Sequence, residues 1–527
     1  MKLKFWGRSA VPAPTYGAPS GAALAEPAQK KKRSLLGGRS VFGMFKSSEV
    51  SATDRWTATP MSPDAIINRR QMALVARSRE QWSNNDFVRA FIRLIRQNVV
   101  GPHGIAMQAK VTKPRGAPDK DANAAIEAEW RDWGRKGNCD VTGELSWREL
   151  QCLVVETTAR DGEFFARIII GKDAGPHGFA LQLIDPQRLP VWYENYQRTD
   201  GGGFIRHGIE FNSYGRPVAY HFASTDEWDA YYYTYSGQGF VRIPAEEIIH
   251  GFIHEMVGQR RGLPWASTSL FSLHHQEGFQ DAAVQNARAG ATKMGFIQYR
   301  EGFGPEMEDD EPVTVDAEPL HFQELPEGAE FKEFAPQYPN GEFAVFNKAM
   351  LRRAASGMGV PYNELANDLE GVNFSSIRQL TLDAREHYKE IQQWMIETLA
   401  APVFARWMKW KLLRGDIKVK GVPLAADKLE LYSQVAWQAR RWQWIDPKSD
   451  VTASVTAIRA GLTSPSQIIR EQGRDPEQVF AEIAEDIKLM RAAGIDEDFV
   501  SVMFGLLPAP EPTPNKGDES AAKEPAK

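Results

Sequence analysis

One apolar face repeats through Ile377, Leu380, Ala384, Tyr388, Ile391, Met395 and Leu399 at three- and four-residue steps, the period of an α-helix. It runs on past Pro402, where a kink is expected. Unbroken to Leu413, the helix spans roughly 55 Å at 1.5 Å per residue. A helix that long with so wide a stripe spans an assembly and packs against neighbours, which restricts the chain to folds built along such a spine. A shorter face precedes it, through Phe343, Phe346, Met350, Ala354 and Met358, and stops at Gly357, Gly359 and Pro361. Between the two lies a polar, conformationally loose segment, 362–378, where function is first to be sought.

The 527 residues exceed one core, so about two to four domains are expected, and 42% apolar with 25% charged residues describes a chain that folds in water. No run approaches the ~18 consecutive apolar residues of a spanning helix. Residues 1–38 lack the apolar stretch of a secretory signal, so a chain that is cytoplasmic when made is expected. Cys139 and Cys152 flank a predicted helix start and read as buried small apolar groups rather than a disulfide or a metal site. A net charge of −5 argues against a protein that grips nucleic acid, which needs clustered Lys and Arg. From Met1 to Lys46, however, nine Lys or Arg face one acid, Glu26, in a Pro, Ala and Gly background. That arm is either a flexible solvated extension or one that docks on an acidic partner or DNA.

Ser62-Pro63 and Asn85 open two helices, the second with Val88, Phe91, Ile92, Ile95 and Val99 on its apolar face and closed by Gly101. A third covers Asp121 to Trp133, and Ser146 with Glu149 forms a capping box for a fourth that ends at Asp161-Gly162. From Glu163 to about Phe252 the pattern turns to strands: 164–170, 180–184, 208–211, 218–222 and 247–253. Helix resumes at Gly262-Leu263-Pro264 and runs toward Lys293. Residues 294–339 form a second β-like insert, acidic at Glu306 and Glu308 to Glu311. Beyond Asp416 come short helices opened by Asp446-Pro447, Ser464-Pro465 and Asp475-Pro476, then a Pro-rich tail too polar to order itself. The class is α+β.

Signatures of catalysis are sought without success. Gly38 to Ser47 has the glycines of a phosphate loop but Met44 where lysine belongs, and no strand precedes it. His250 and His254 lack the rest of a His-Glu-x-x-His pair and read as core or strand histidines. His274 and His275 point about 100° apart on a helix. The run Glu308, Asp309, Asp310, Glu311 lacks the alternation and glycine of a calcium loop and reads as a solvated face. Neither a metal nor a cofactor is called for.

Arg77-Ser78-Arg79 with Asn84-Asn85, Asn98 to Gly101, Leu183-Ile184-Asp185-Pro186, Gln259 to Pro264, Pro361-Tyr362-Asn363 with Gly371 to Ser376, and Trp444 to Pro447, taken in order and spacing, resemble the lambda family of phage portal proteins. The resemblance covers about residues 60–495. It implies a portal fold: a flexible arm (1–60), an α/β wing (61–262), a first stem helix (263–293), a β-containing clip (294–340) and a second stem helix (341–359). A tunnel loop (360–376), a long spine helix (377–415), a helical crown (416–505) and a disordered tail (506–527) would follow. It further implies a homo-oligomeric ring, normally a dodecamer, at one capsid vertex of the virion, through which double-stranded DNA is packaged and ejected. The implied partners are the terminase motor, meeting the clip acids Glu308 to Glu311, the major capsid protein, and head-completion and neck proteins. The family also implies possible removal of an N-terminal segment.

The residues of the loop suit that role in their own right. A channel that moves a polyanion must not hold it, and 362–377 carries no basic residue but three acids, Glu364, Asp368 and Glu370, which would repel weakly and lubricate. Gly371 gives backbone freedom, while Asn367, Asn373, Ser375 and Ser376 offer neutral hydrogen bonds to phosphates or to a neighbouring copy. For Ser375 and Ser376, capping of the long helix is the favoured role. The rival reading, from another class, is a DNA-processing accessory factor or metal-dependent nuclease in which the basic arm binds nucleic acid and Glu308, Asp309 and Asp310 hold metal.

Overall fold

The computed structural model describes residues 60–114, 116–195, 203–224, 239–291, 295–299, 329–333, 343–371, 373–442 and 447–495. The chain divides at Pro60, and every element described below lies in the second unit, Met61–Lys527. Helix α1 (Pro63–Asn84) starts where Ser62 accepts a hydrogen bond from the Ala65 amide, and α2 (Asp86–Val99) where Asn85 accepts from the amides of Phe87 and Val88. Strand β1 (Ala106–Ala109) and helices α3 (Lys120–Trp133) and α4 (Trp147–Asp161) follow. The Ser146–Glu149 capping box is formed on both sides, and α4 ends on Gly162 in the left-handed region at φ 95°.

Next comes the β-rich part: β2 (Glu163–Ile170), β3 (Phe179–Ile184), β4 (Phe204–Arg206), β5 (Ile209–Phe211), β6 (Pro217–Ala223), β7 (Phe240–Pro244) and β8 (Ile248–Phe252). They form two antiparallel sheets, ordered β3-β2-β8 and β4-β5-β6-β7. Strand β2 is buried on both faces. Phe164, Ala166 and Ile168 join the helical core, while Phe165, one residue out of phase, joins a second core with Phe211, Phe222 and Ile243 between the sheets.

Residues 265–269 are turns rather than helix; α5 is Leu270–Ala291. Strands β9 (Gly295–Tyr299) and β10 (Ala329–Glu333) pair antiparallel, and α6 (Phe343–Met358) runs through Gly357 before stopping. Then come α7 (Tyr362–Ala366), α8 (Phe374–Met395) and α9 (Ala401–Arg414). In place of a simple proline kink, residues Ile396–Ala400 form a π-helical turn in which the Ala401 amide reaches back five residues to Ile396. Widening the helix just before Pro402 accommodates the missing N–H without breaking the spine.

The short strands β11 (Lys418–Val419) and β12 (Val422–Pro423), helix α10 (Leu429–Tyr432), strand β13 (Val435–Gln438) and helices α11 (Pro447–Arg459), α12 (Pro465–Glu471) and α13 (Pro476–Ala492) complete the order. Strand β13 pairs with β1, tying the C-terminal region to the start of the fold. The main core closes over α9: Trp130 lies 4.6 Å from Trp133, 5.3 Å from Phe404 and 5.0 Å from Trp407. Such aromatic pairs add about 0.5–1.5 kcal/mol each beyond burial. Cys139 is buried in this core as the sequence suggests, but Cys152 is half-exposed and both are free thiols.

Candidate functional site

The polar segment between α6 and α8 is more structured than its composition suggests. Pro361 opens α7, Asn367 closes it in the left-handed region at φ 50°, and Gly371 takes φ 70° with open space where a Cβ would stand. Asn373 caps α8, its side chain accepting from the Ser376 amide at 2.8 Å. This corrects the expectation for the serines: Ser375 and Ser376 lie within the first turn, exposed, and neither side chain is the cap. Asn373 wins because, in the extended conformation before the helix, its side-chain oxygen reaches the third amide, which a residue already inside the helix cannot do.

The three acids have separate environments. Glu364 is half-buried and faces Arg385, Arg440 and Tyr388; burial pushes its carboxyl above the ordinary value despite the two guanidinium groups. Asp368 is held by α6: its Oδ2 accepts from the Lys348 ammonium and the Tyr362 hydroxyl, each at 2.7 Å, and its Oδ1 from the Glu370 amide at 2.9 Å. The Lys348 bond, then that from Tyr362, holds Asp368 well below the usual carboxylate range. The Tyr362 hydroxyl, desolvated and donating to that carboxylate, is pushed up to about 12. Glu370, 88% exposed, projects into solvent with its carboxylate 3.8 Å from Lys348. Beneath the loop, Asn363, Asn367, Leu369, Ile377 and Leu380 line a cavity of about 270 Å³. Lys348, with Arg352 one turn on, lies outside the polar segment, on α6, whose sequence shows only its apolar face. Glu308, Asp309, Asp310 and Glu311, like the basic arm, lie outside the described residues.

A second polar centre gathers pieces far apart in the chain. Arg79 on α1 forks onto Asp161 at the end of α4 (2.9 and 2.7 Å) and Asp185 after β3 (3.1 and 2.7 Å). Burial disfavours the Asp185 charge, yet the bonds from Arg79 hold its carboxyl below the ordinary value. Close by in sequence, Glu163 at the start of β2 is fully buried against Arg261, whose Nη2 approaches to 2.6 Å. His250 Nε2 lies 3.0 Å from the same carboxylate, and Gln71 and the Gly262 amide donate to it at 2.9 and 3.0 Å. The Arg261 Nη1 also donates to the carbonyls of Leu189 and His207. His250 is therefore a strand histidine in a polar lock, not half of a metal pair. Among the described residues no group of His, Cys, Asp and Glu is arranged to hold a metal ion, and no helix is long and apolar enough to cross a membrane.

Acid should act on this lock in two stages. Burial opposes the Glu163 charge, but Arg261 and His250 hold its carboxyl at about 2 against an ordinary 4.5. Burial lowers His250 below 6.5 despite Glu163. The unfolded chain thus protonates first at both groups. Stability drops as pH falls below about 6.5 through His250, and drops again from 4.5 toward 2 through Glu163. Melting curves of the protein and of Glu163→Gln check this: the substitution should flatten the lower limb, and parallel curves would refute it.

The family model described as phage portal protein, lambda family, matches residues 50–392. The chain is 35% identical over 489 residues to the probable portal protein of Halomonas phage phiHAP-1, covering 91% of this chain and 92% of that protein. It is 21% identical over 481 residues to portal protein B of Escherichia phage lambda, covering 84% and 88%. Among solved structures, a chain from the neck of an empty GTA particle, computed with C6 symmetry, aligns with a TM-score of 0.41 at 14% identity, over 77% of this chain and 94% of that one.

Proposed function

The chain belongs to the lambda family of phage portal proteins, and on that premise we propose that its copies close into a homo-oligomeric ring at one capsid vertex, the conduit for double-stranded DNA. The family is structural, and the protein uses motor-supplied energy rather than catalysis of its own. The observation that carries the reading is similarity along nearly the whole of both chains to a portal protein. In the ring, 360–376 is the loop facing the axial hole, α5 and α6 form the stem, and 294–340 meets the packaging motor.

Closing a ring takes a heterologous interface, one face of each copy against a different face of the next. Phe271 on α5 (69% exposed), Val345 on α6 (71%) and Leu380 on α8 supply apolar surface that a lone chain leaves in water. Electron micrographs of the purified protein should show rings with an open axial hole; a strictly monomeric species at high concentration would overturn the reading. Replacing Asp368 and Glu370 with lysine should leave rings intact while slowing packaging, because each new ammonium is a phosphate contact to be broken as the duplex advances. DNA filling at the normal rate would refute a non-adhesive loop.

A further inference from the structure

We propose that α6 and the start of α7 form a phosphate-binding site, built from Lys348, Arg352 and Tyr362, that the loop keeps covered with its own carboxylates. Two cations gather beside the Tyr362 ring, whose hydroxyl is a third donor. The Lys348 ammonium and the Arg352 guanidinium, one helical turn apart on α6, lie 5.9 and 5.5 Å from the centre of the Tyr362 ring. The Tyr362 hydroxyl and Lys348 meet on a single oxygen, Asp368 Oδ2, each at 2.7 Å. An ammonium and a hydroxyl on one anionic oxygen, with the Arg352 guanidinium beside the same tyrosine ring, form a donor set suited to a backbone phosphate. Asp368 occupies that place as a mimic, and Glu370, whose amide is fastened to Asp368 and whose carboxylate lies 3.8 Å from Lys348, adds a second negative charge over it.

This deepens, and rests on, the channel reading of the loop. Non-adhesion comes less from repulsion by free acids than from cancellation, since Lys348 is already paired with Asp368 and a passing phosphate must displace that tethered carboxylate to reach it. Tethering favours the carboxylate, because the Asx-type bond from the Glu370 amide holds Asp368 in position at a high local concentration.

The test is fluorescence anisotropy of a 30-base-pair duplex with the full-length protein, alongside micrographs of the same preparation. Asp368→Asn with Glu370→Gln should bind duplex at least about tenfold more tightly than the parent at low salt, with log affinity falling more steeply against log salt by about one to two phosphate contacts. Adding Lys348→Met and Arg352→Met should return affinity and salt slope to the parent's. No gain, or a gain that survives loss of both cations, would overturn the proposal. Where the double neutralisation fails to fold, Glu370→Gln alone, at the exposed position, should give about a threefold gain abolished by Lys348→Met, and no gain overturns it equally. Rings with unchanged affinity sink the covered site alone, whereas absence of rings tells against the channel reading.

Discussion

Arg261→Met is expected to cost about 3–5 kcal/mol of folding free energy, the loss that follows when one partner of a fully buried ion pair is removed. Arg261 is 1% exposed and Glu163 not at all, so the surviving carboxylate has no water to turn to. Gln71, His250 and the Gly262 amide still donate to it, but none brings a full positive charge at neutral pH. The guanidinium does more than neutralise: it donates to the carbonyls of Leu189 and His207, joining the turn after β3 to the β4–β5 connection. For that reason the double variant Arg261→Met, Glu163→Leu should recover only part of the loss. It removes the orphaned charge but leaves two buried carbonyls without a donor, at about 1–3 kcal/mol each. Denaturant unfolding followed by tryptophan fluorescence measures all three proteins. A single-variant loss below about 1 kcal/mol would show that the pair adds little to the fold.

What was legible beforehand divides by the range of the interaction. Helix starts at Ser62, Asn85, Ser146, Ser464 and Asp475 depend on a side chain and an amide two or three residues away, and each is where the sequence places it. Strands 164–170, 180–184 and 218–222 were readable because their apolar runs are long enough to show a period. Strands β4 and β7 were not, since three to five residues with mixed polarity become strands only once β5 and β6 offer them an edge. The β1–β13 pair joins Ala106 to Gln438, and nothing local in either segment names the other.

The same limit governs the candidate site. Its boundaries were visible, and so were its acids, but the sign of their effect depends on Lys348, twenty residues before Asp368 on a helix that reads as an apolar face. Likewise Arg79, Asp185 and Arg261 stood out as ordered pieces of a resemblance. That they belong to neighbouring ion pairs, one part-buried and one buried, at the β2 end of α4 depends on Asp161 and Glu163, either side of a glycine that announces only a helix end.

Gly262→Ala is expected to be at least as damaging as the loss of Arg261, for a reason that involves no charge. A Cβ at 262 would stand 2.0 Å from the Gly162 carbonyl oxygen and 2.5 Å from its carbon, and one at 162 would stand 2.4 Å from the Leu263 backbone. Two chain segments thus cross in contact through paired glycines, one closing α4 and the other following Arg261. The obstacle is main chain on both sides, so no rotamer change relieves it, and the cost should exceed the about 1–3 kcal/mol of ordinary core overpacking. Separating the segments would also pull the Gly262 amide from Glu163 and the Trp265 amide from Ala159, now at 3.0 and 3.1 Å. Gly278 in α5 is the contrasting control: it is exposed, with open space where a Cβ would stand, so Gly278→Ala should stabilise the helix by about 0.5–1 kcal/mol. Unfolding midpoints that move in opposite directions at the two glycines would confirm that close approach at 262, rather than the general entropy of glycine, requires the missing side chain; a folded Gly262→Ala protein within about 1 kcal/mol of the parent would show that the crossing can open.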